Sequence, residues 1–336
     1  MLWRHFTSFL LASQLENLRL LTIALLYGAS PRINRWSRFL PIETLFRHRQ
    51  KRLLRFLANP RIEVTSLFVP LLRMVLRLVP LRKQLSVIVD ETDLPSNRQA
   101  LVAAIPWQGR ALHFAFTIFQ RDSLRDSQNQ LENSFFAFLC KLLTVHHLIP
   151  VFLLDRGYAD VKLIRYLKQL GAHYVIRACQ NVYVRLPEHK GTLAGLGRAG
   201  SWTGVLYQQH EQELINLRTV WGKDKSGNRE LIYLITDLEP DAGLQRYRLR
   251  MRIEEGFRDL KHTLGLEQLR LKCDINVRLG RVLFLAALTV IVTAYLYPVV
   301  SGYYQQVTRH ISELSFVSLA VQVCCAIGLV DRSEFG

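Results

Sequence analysis

The 336-residue chain is 49% apolar and 10% aromatic, which suits large buried cores and excludes a disordered polymer. Its net charge of +17 argues for a polyanionic partner, nucleic acid or an anionic membrane surface. Five cysteines, at 140, 179, 273, 324 and 325, form no CxxC pair, and the odd count suits a reducing compartment better than a disulfide framework.

The charge is concentrated at the start. Residues 1–84 hold fifteen Lys or Arg against three Asp or Glu, so +12 of the +17 lies in this stretch. Its segments "SFLLASQLENLRLLTIALLYG", "IETLFRHRQKRLLRFLANP" and "VTSLFVPLLRMVLRLV" are expected to be helices, punctuated by Gly28, Pro31, Pro41 and Pro60. The middle one sets Arg and Lys opposite Leu and Phe, as a helix would that lies on a phosphate backbone while its apolar side packs on neighbours. This all-helical part is therefore read as a DNA-binding region. Arg4, His5, Glu16 and Arg19 interrupt the N-terminal apolar stretches, so no signal peptide is expected.

From Leu85 the pattern turns to strands. "LSVIVD", "ALVAAIPW" and "ALHFAFTIFQ", with a turn at Gln108 and Gly109, read as an antiparallel meander. A helix over about 127–146, the buried strand "PVFLLD", a helix over 159–170 and the strand "HYVIRA" follow, giving an α/β class with a mixed sheet. Residues 179–230 break the rhythm with short strand-like pieces among Gly-rich turns and are read as a β-rich insertion. The sheet resumes at "ELIYLITDL". Four regions are thus expected: 1–84, 85–178, 179–230 and 231–336.

After that strand, "YRLRMRIEEGFRDLKHTLGL" is expected to be one helix. With Tyr247 at zero, Arg250 falls at about 300°, Glu254 at about 340° and Lys261 at about 320°, a single polar stripe. Leu249, Ile253, Phe257, Leu260 and Leu264 fall between roughly 200° and 280° and form a core-facing stripe. Arg248, Arg252, Glu255 and Asp259 point elsewhere, toward solvent. Beyond it, Val282–Val300 is uncharged and just long enough to span a bilayer, but its threonines and Pro298 suit a buried core helix.

Two expected strands end in an acid, "VIVD" at Asp90 and "FLLD" at Asp155. With Glu254 from the later helix they could gather three oxygen-bearing ligands, a set suited to two divalent ions that activate a water in phosphodiester cleavage. An acid after a strand is also an ordinary turn or capping residue.

"VIVDETD", "VFLLDRGYAD" and "YRLRMRIEEGFRDLK" together resemble, in order, the three catalytic boxes of DDE transposases of the IS-four group of bacterial insertion sequences. Tyr247, Arg250, Glu254 and Lys261 reproduce the spacing of the last box. The resemblance covers about Leu85 to Tyr297. It implies an RNase H-like catalytic core, interrupted by a β-rich insertion before the final helix, with Asp90, Asp155 and Glu254 as ligands of two Mg²⁺ or Mn²⁺ ions. It also implies that Tyr247, Arg250 and Lys261 hold phosphates near the cut. Asp93 rivals Asp90 and Glu255 rivals Glu254, but neither aligns with the family's acids; Asp160 is read as a helix-start residue. Relatives of the family stack an insertion Trp on a flipped base; Trp202 and Trp221 are the positions here, and with no motif to fix a match they are read as packing aromatics.

The expected activity is binding of the element's terminal inverted repeats as double-stranded DNA, metal-dependent hydrolysis of the phosphodiester, and strand transfer into target DNA. A homo-oligomer on DNA in the bacterial cytoplasm, at the nucleoid and without a membrane, goes with it. The rival is a catalytically inactive DNA-binding remnant or repressor of such an element.

Overall fold

The computed structural model describes residues 2–120, 128–208, 210, 212–223, 226–271, 275–305 and 316–333. The chain folds as two compact units. One comprises Met1–Pro80, Glu91–Arg125 and Glu254–Gly336; the other comprises Leu81–Asp90 and Asp126–Ile253.

The first unit is mainly helical. After a 3-10 turn at Leu2–Phe6 come α1 (Ala12–Gly28), α2 (Ile33–Arg38), α3 (Phe46–Ala58) and α4 (Val64–Leu76). Short α2 has no counterpart among the expected helices; it packs between α1 and α3, and Trp36, fully buried on it, donates its indole N–H to the Leu21 carbonyl at 2.9 Å. On α3, Leu53, Phe56 and Leu57 are buried while Arg47, Lys51 and Arg55 are exposed. This is the amphipathic division expected from the sequence.

Late in the chain come α9 (Ile275–Gln305) and α10 (Phe316–Ser333). The first of these is long and apolar enough to cross a membrane, yet its residues from Val282 to Val290 are buried inside the unit against α1, α3, α4 and α10. Its Arg281, only 4% exposed, donates to the Leu57 carbonyl at 2.6 Å and to the Ile62 carbonyl at 3.0 and 3.2 Å. A guanidinium can be buried there because the Leu57 carbonyl, left open at the end of α3, and the Ile62 carbonyl of the loop that follows accept from it. Cys324 is buried on α10; Cys273 and the side chain of Cys325 lie outside the described residues.

The same unit holds the end of β1 (Gln84–Leu94), followed by β2 (Arg98–Trp107) and β3 (Arg110–Phe119), an antiparallel hairpin turned at Gln108 and Gly109, both with positive φ.

In the other unit the start of β1 pairs in parallel with β4 (Ile149–Leu154), and β4 in parallel with β5 (His173–Ala178). Helix α5 (Gln128–Thr144) precedes β4, and α6 (Val161–Gln169) crosses from β4 to β5. The expected start of α5 at Ser127 lies outside the described residues. Antiparallel strands extend the sheet from β5 through β10 (Arg229–Thr236), β9 (Glu213–Lys223), β8 (Gly200–Tyr207) and β6 (Tyr183–Leu186) to β7 (His189–Thr192). The strands of residues 183–223 therefore continue the main sheet at one edge. Helix α7 (Pro240–Tyr247) follows β10; the Glu239 carboxylate accepts from Asp241 and Ala242 N–H, and Pro240 sits at the first turn, both ordinary start signals.

Candidate active site

Register fixes the first pair of acids. Gln84 pairs with Ile149 and Ile88 with Leu153 on the parallel strands β1 and β4, so Asp90, two residues beyond Ile88, stands level with Asp155, two beyond Leu153. Asp155 ends β4 as expected and begins a 3-10 turn at Arg156–Tyr158. Asp90 does not end its strand: β1 runs on to Leu94, because "ETDL" keeps the alternation of exposed and buried residues. Asp160 is the N-cap of α6.

The expected single helix from Tyr247 to Leu266 is not formed. Tyr247 ends α7, residues 248–251 form a tightened turn, α8 covers Arg252–Arg258, and a π turn covers Asp259–Thr263. In the tightened stretch the N–H groups of Leu249, Arg250, Arg252 and Ile253 each bond to the carbonyl three residues back. Positions three apart then eclipse, which places Arg250 over Tyr247 instead of on the 100° phase of a regular helix. The π turn, which contains Lys261, shifts the phase again.

Arg250 is 6% exposed, and one of its terminal nitrogens lies 2.9 Å from Asp90 Oδ2 and 3.5 Å from Asp155 Oδ2. The unit therefore brings together Asp90, Asp155 and Arg250, with Tyr247 beside them. The Tyr247 phenol is pushed up to about 12, first by burial; Asp155 and Asp90 push the same way, while Arg250 and Arg177 oppose them. It is a neutral hydrogen-bonding group at any ordinary pH.

Glu254 and Lys261 belong to the other unit. Glu254 is exposed in the first turn of α8, and Lys261 is half-buried in the π turn. What holds α8 there was not read from sequence. Glu255, expected in solvent, pairs with Arg110 of β3 and with Arg258 at 2.8 Å; Asp259, also expected in solvent, is 2% exposed with Arg110 Nε at 3.4 Å. Glu255 and Asp259, four apart, share one helix face, and a cation on a distant strand has selected it. Between them Gly256 packs on β3, where a Cβ would fall 3.0 Å from the Ala111 carbonyl and 2.8 Å from His113 Cε1. The His113 ring, buried, stacks on Phe257 with centroids 5.5 Å apart.

Divalent cations of the Mg²⁺ class take hard oxygen donors. Asp90 and Asp155 offer two carboxylates converging on a point where a guanidinium sits, so donor type and focus fit such an ion. Among the described residues no group of three or more His, Cys, Asp or Glu is gathered tightly enough to hold a metal. Of the insertion aromatics, Trp202 donates to Glu188 at 2.8 Å, and Trp221, 46% exposed, carries the Arg229 guanidinium 4.2 Å from its ring.

A second basic feature lies in the helical unit. A cleft of about 450 Å³ beside α1 and α3 is lined by Gln14, Asn17, His48, Lys51, Arg52, Arg55, Phe56 and Asn59, with no carboxylate among them.

Residues 128–290 match the family described as "Transposase DDE domain". No curated protein matches the chain. Among solved structures, the cryo-EM structure of the piggyBac transposase synaptic complex with hairpin DNA is similar at 11% identity and a TM-score of 0.43, over 97% of this chain and 75% of that one. The match takes in residues 128–290, just under half of the chain, and supports the reading of a DDE-type DNA transposase.

Proposed function

We propose that this transposase serves a bacterial insertion sequence of the IS-four group. It binds the element's terminal inverted repeats, hydrolyses the phosphodiester at each 3′ end, and joins the freed 3′-OH to target DNA. The observation that carries the reading is Arg250 set between Asp90 and Asp155, at 2.9 and 3.5 Å, because it unites residues from three separate sequence boxes. The core is read as RNase H-like; the parallel run of β1, β4 and β5 with acids toward its carboxyl ends supports this. Residues 179–230 are read as its β-rich insertion, and residues 1–84 as the region that grips the ends, supported by the acid-free basic cleft at α1 and α3.

In this proposal Asp90, Asp155 and Glu254 hold two divalent ions, Mg²⁺ or Mn²⁺. When bound, such ions supply the Lewis acidity that activates water and offsets charge on the leaving oxygen. Arg250 meanwhile holds the two strand acids aimed at one point. Tyr247, neutral and half-buried, and Lys261 place donors on the phosphates flanking the cut. The enzyme pairs two element ends as a homo-oligomer and works in the cytoplasm at the nucleoid.

The test is cleavage of a labelled duplex carrying the inverted repeats that flank the gene, with Mg²⁺ or Mn²⁺, comparing wild type with Glu254→Gln. Metal-dependent nicking at the repeat end, lost in the variant, is the expected result. Specific binding by wild type without any cut would replace this reading with that of an inactive DNA-binding remnant.

A further inference from the structure

Arg246, in the last turn of α7, reaches back along β1: one terminal nitrogen donates to Ser86 Oγ at 3.1 Å and the other to Gln84 Oε1 at 2.9 Å. Both partners are neutral. Elsewhere in this unit Arg165 pairs with Glu213, Arg177 with Glu230, Arg218 with Asp241 and Arg250 with Asp90. Among the described residues no carboxylate pairs with half-buried Arg246, nor with exposed Arg82 and Lys83, which stand just before Gln84 in the chain. Burial, and then the repulsion of Arg82, pull the Arg246 guanidinium below its ordinary value. Like charges gathered and partly desolvated without an acid destabilise the fold unless an anion joins them. A guanidinium has five N–H donors, so two bonds leave donors for that anion.

Its place on the strand says which anion. Gln84, Ser86 and Asp90 alternate onto one face of β1, so Arg246 and Arg250 read the same face at two levels. From Ser86 to Asp90 is about 13 Å along the strand. That equals the rise of about four nucleotides of duplex, at about 3.4 Å each.

We infer that Arg246, with Arg82 and Lys83, is a seat for a DNA backbone phosphate about four nucleotides from the phosphate cut at Asp90 and Asp155. The seat rests on the proposed action at the element's ends. It would fix the path of the DNA into the site without reading sequence, since phosphates carry none.

The experiment measures affinity of the full chain for the inverted-repeat duplex as salt is varied, for wild type, Arg246→Gln and Arg82→Gln. Each variant is expected to bind about tenfold more weakly, with a log–log salt slope shallower by about one. The exposed Arg82 makes no bond to other described residues, so its variant reports on DNA without disturbing α7. A duplex with one neutral methylphosphonate about four nucleotides from the cut is expected to weaken wild type and leave Arg246→Gln unmoved. If wild type binds and cuts the ends while both variants match its affinity and slope, the seat is overturned and the transposase reading stands. If wild type fails to bind the ends, both are overturned.

Discussion

Asp90 and Asp155 occupy equal levels on two parallel strands, and a single nitrogen of Arg250 reaches both carboxylates. The pair is thus oriented before any substrate arrives. Asp155→Ala is expected to lower cleavage of an inverted-repeat duplex by about 10³-fold or more, with binding of the ends retained. Equal loss of binding and cleavage, measured on the same preparation, would sink the assignment.

Removing the cation tests the pair without chemistry. Arg250→Gln removes the cation that both carboxylates share, at a cost of about 3 kcal/mol, and lowers Tm by several degrees. Added Mn²⁺ should then raise the variant's Tm more than that of wild type, because the ion takes over the neutralising role. A variant Tm indifferent to Mn²⁺ would show that the two acids hold no ion.

The seating of α8 on β3 gives a third test. In Gly256→Ala the new methyl meets the Ala111 carbonyl, which is backbone and cannot swing aside. The expected cost is about 1–3 kcal/mol. Because Glu254 rides on the same helix, kcat should fall while affinity for the ends holds. Thermal melting at wild-type values would show that the helix yields without strain.

Acid sensitivity follows from His113. Burial pushes its imidazole down to about 3, from 6.5, and neither ring nitrogen has a partner among the described residues. The unfolded chain takes up this proton near pH 6.5 and the folded chain only near pH 3, so stability falls as pH drops through that window. The slope is about 1.4 kcal/mol per pH unit at most. His113→Leu is expected to show a smaller Tm difference between pH 7 and pH 5 than wild type; an equal difference would assign the sensitivity to other groups.

The basic cleft beside α3 predicts how binding responds to salt. Affinity for duplex should fall steeply between low and physiological salt, and Lys51→Gln or Arg55→Gln should each flatten the log–log slope by about one. A flat wild-type response would remove the electrostatic argument for the helical region.

Much of this was legible in the sequence, and the limits have physical causes. The apolar run to Leu154 and the acid after it gave Asp155 its place, and the amphipathic pattern of 46–58 gave α3 its two faces. Spacing named Tyr247 and Arg250, but a fixed 100° phase could not foresee the tightened turn that delivers Arg250 to the acids, nor the π turn that carries Lys261. Such changes of pitch depend on what the side chains meet in the folded chain. Asp259 read as solvated because its partner, Arg110, lies far away in sequence. Asp90 read as a strand end because the continuous apolar run stops there, while the strand goes on to Leu94 in alternation.

The division of the chain also sets a schedule for synthesis. The helical unit draws on residues before 80, between 91 and 125, and after 254, and buried Arg281 waits for the carbonyls of Leu57 and Ile62. At about 5–20 residues per second, Leu57 leaves the ribosome some 10–45 s before Arg281 can reach it. For that interval the basic N-terminal segment is a nascent chain without its core, and the second unit, Leu81–Asp90 with Asp126–Ile253, is completed toward its end, before Arg281 emerges. The order of birth on the ribosome is therefore the reverse of what position in the chain suggests: the middle is completed first, and the beginning last.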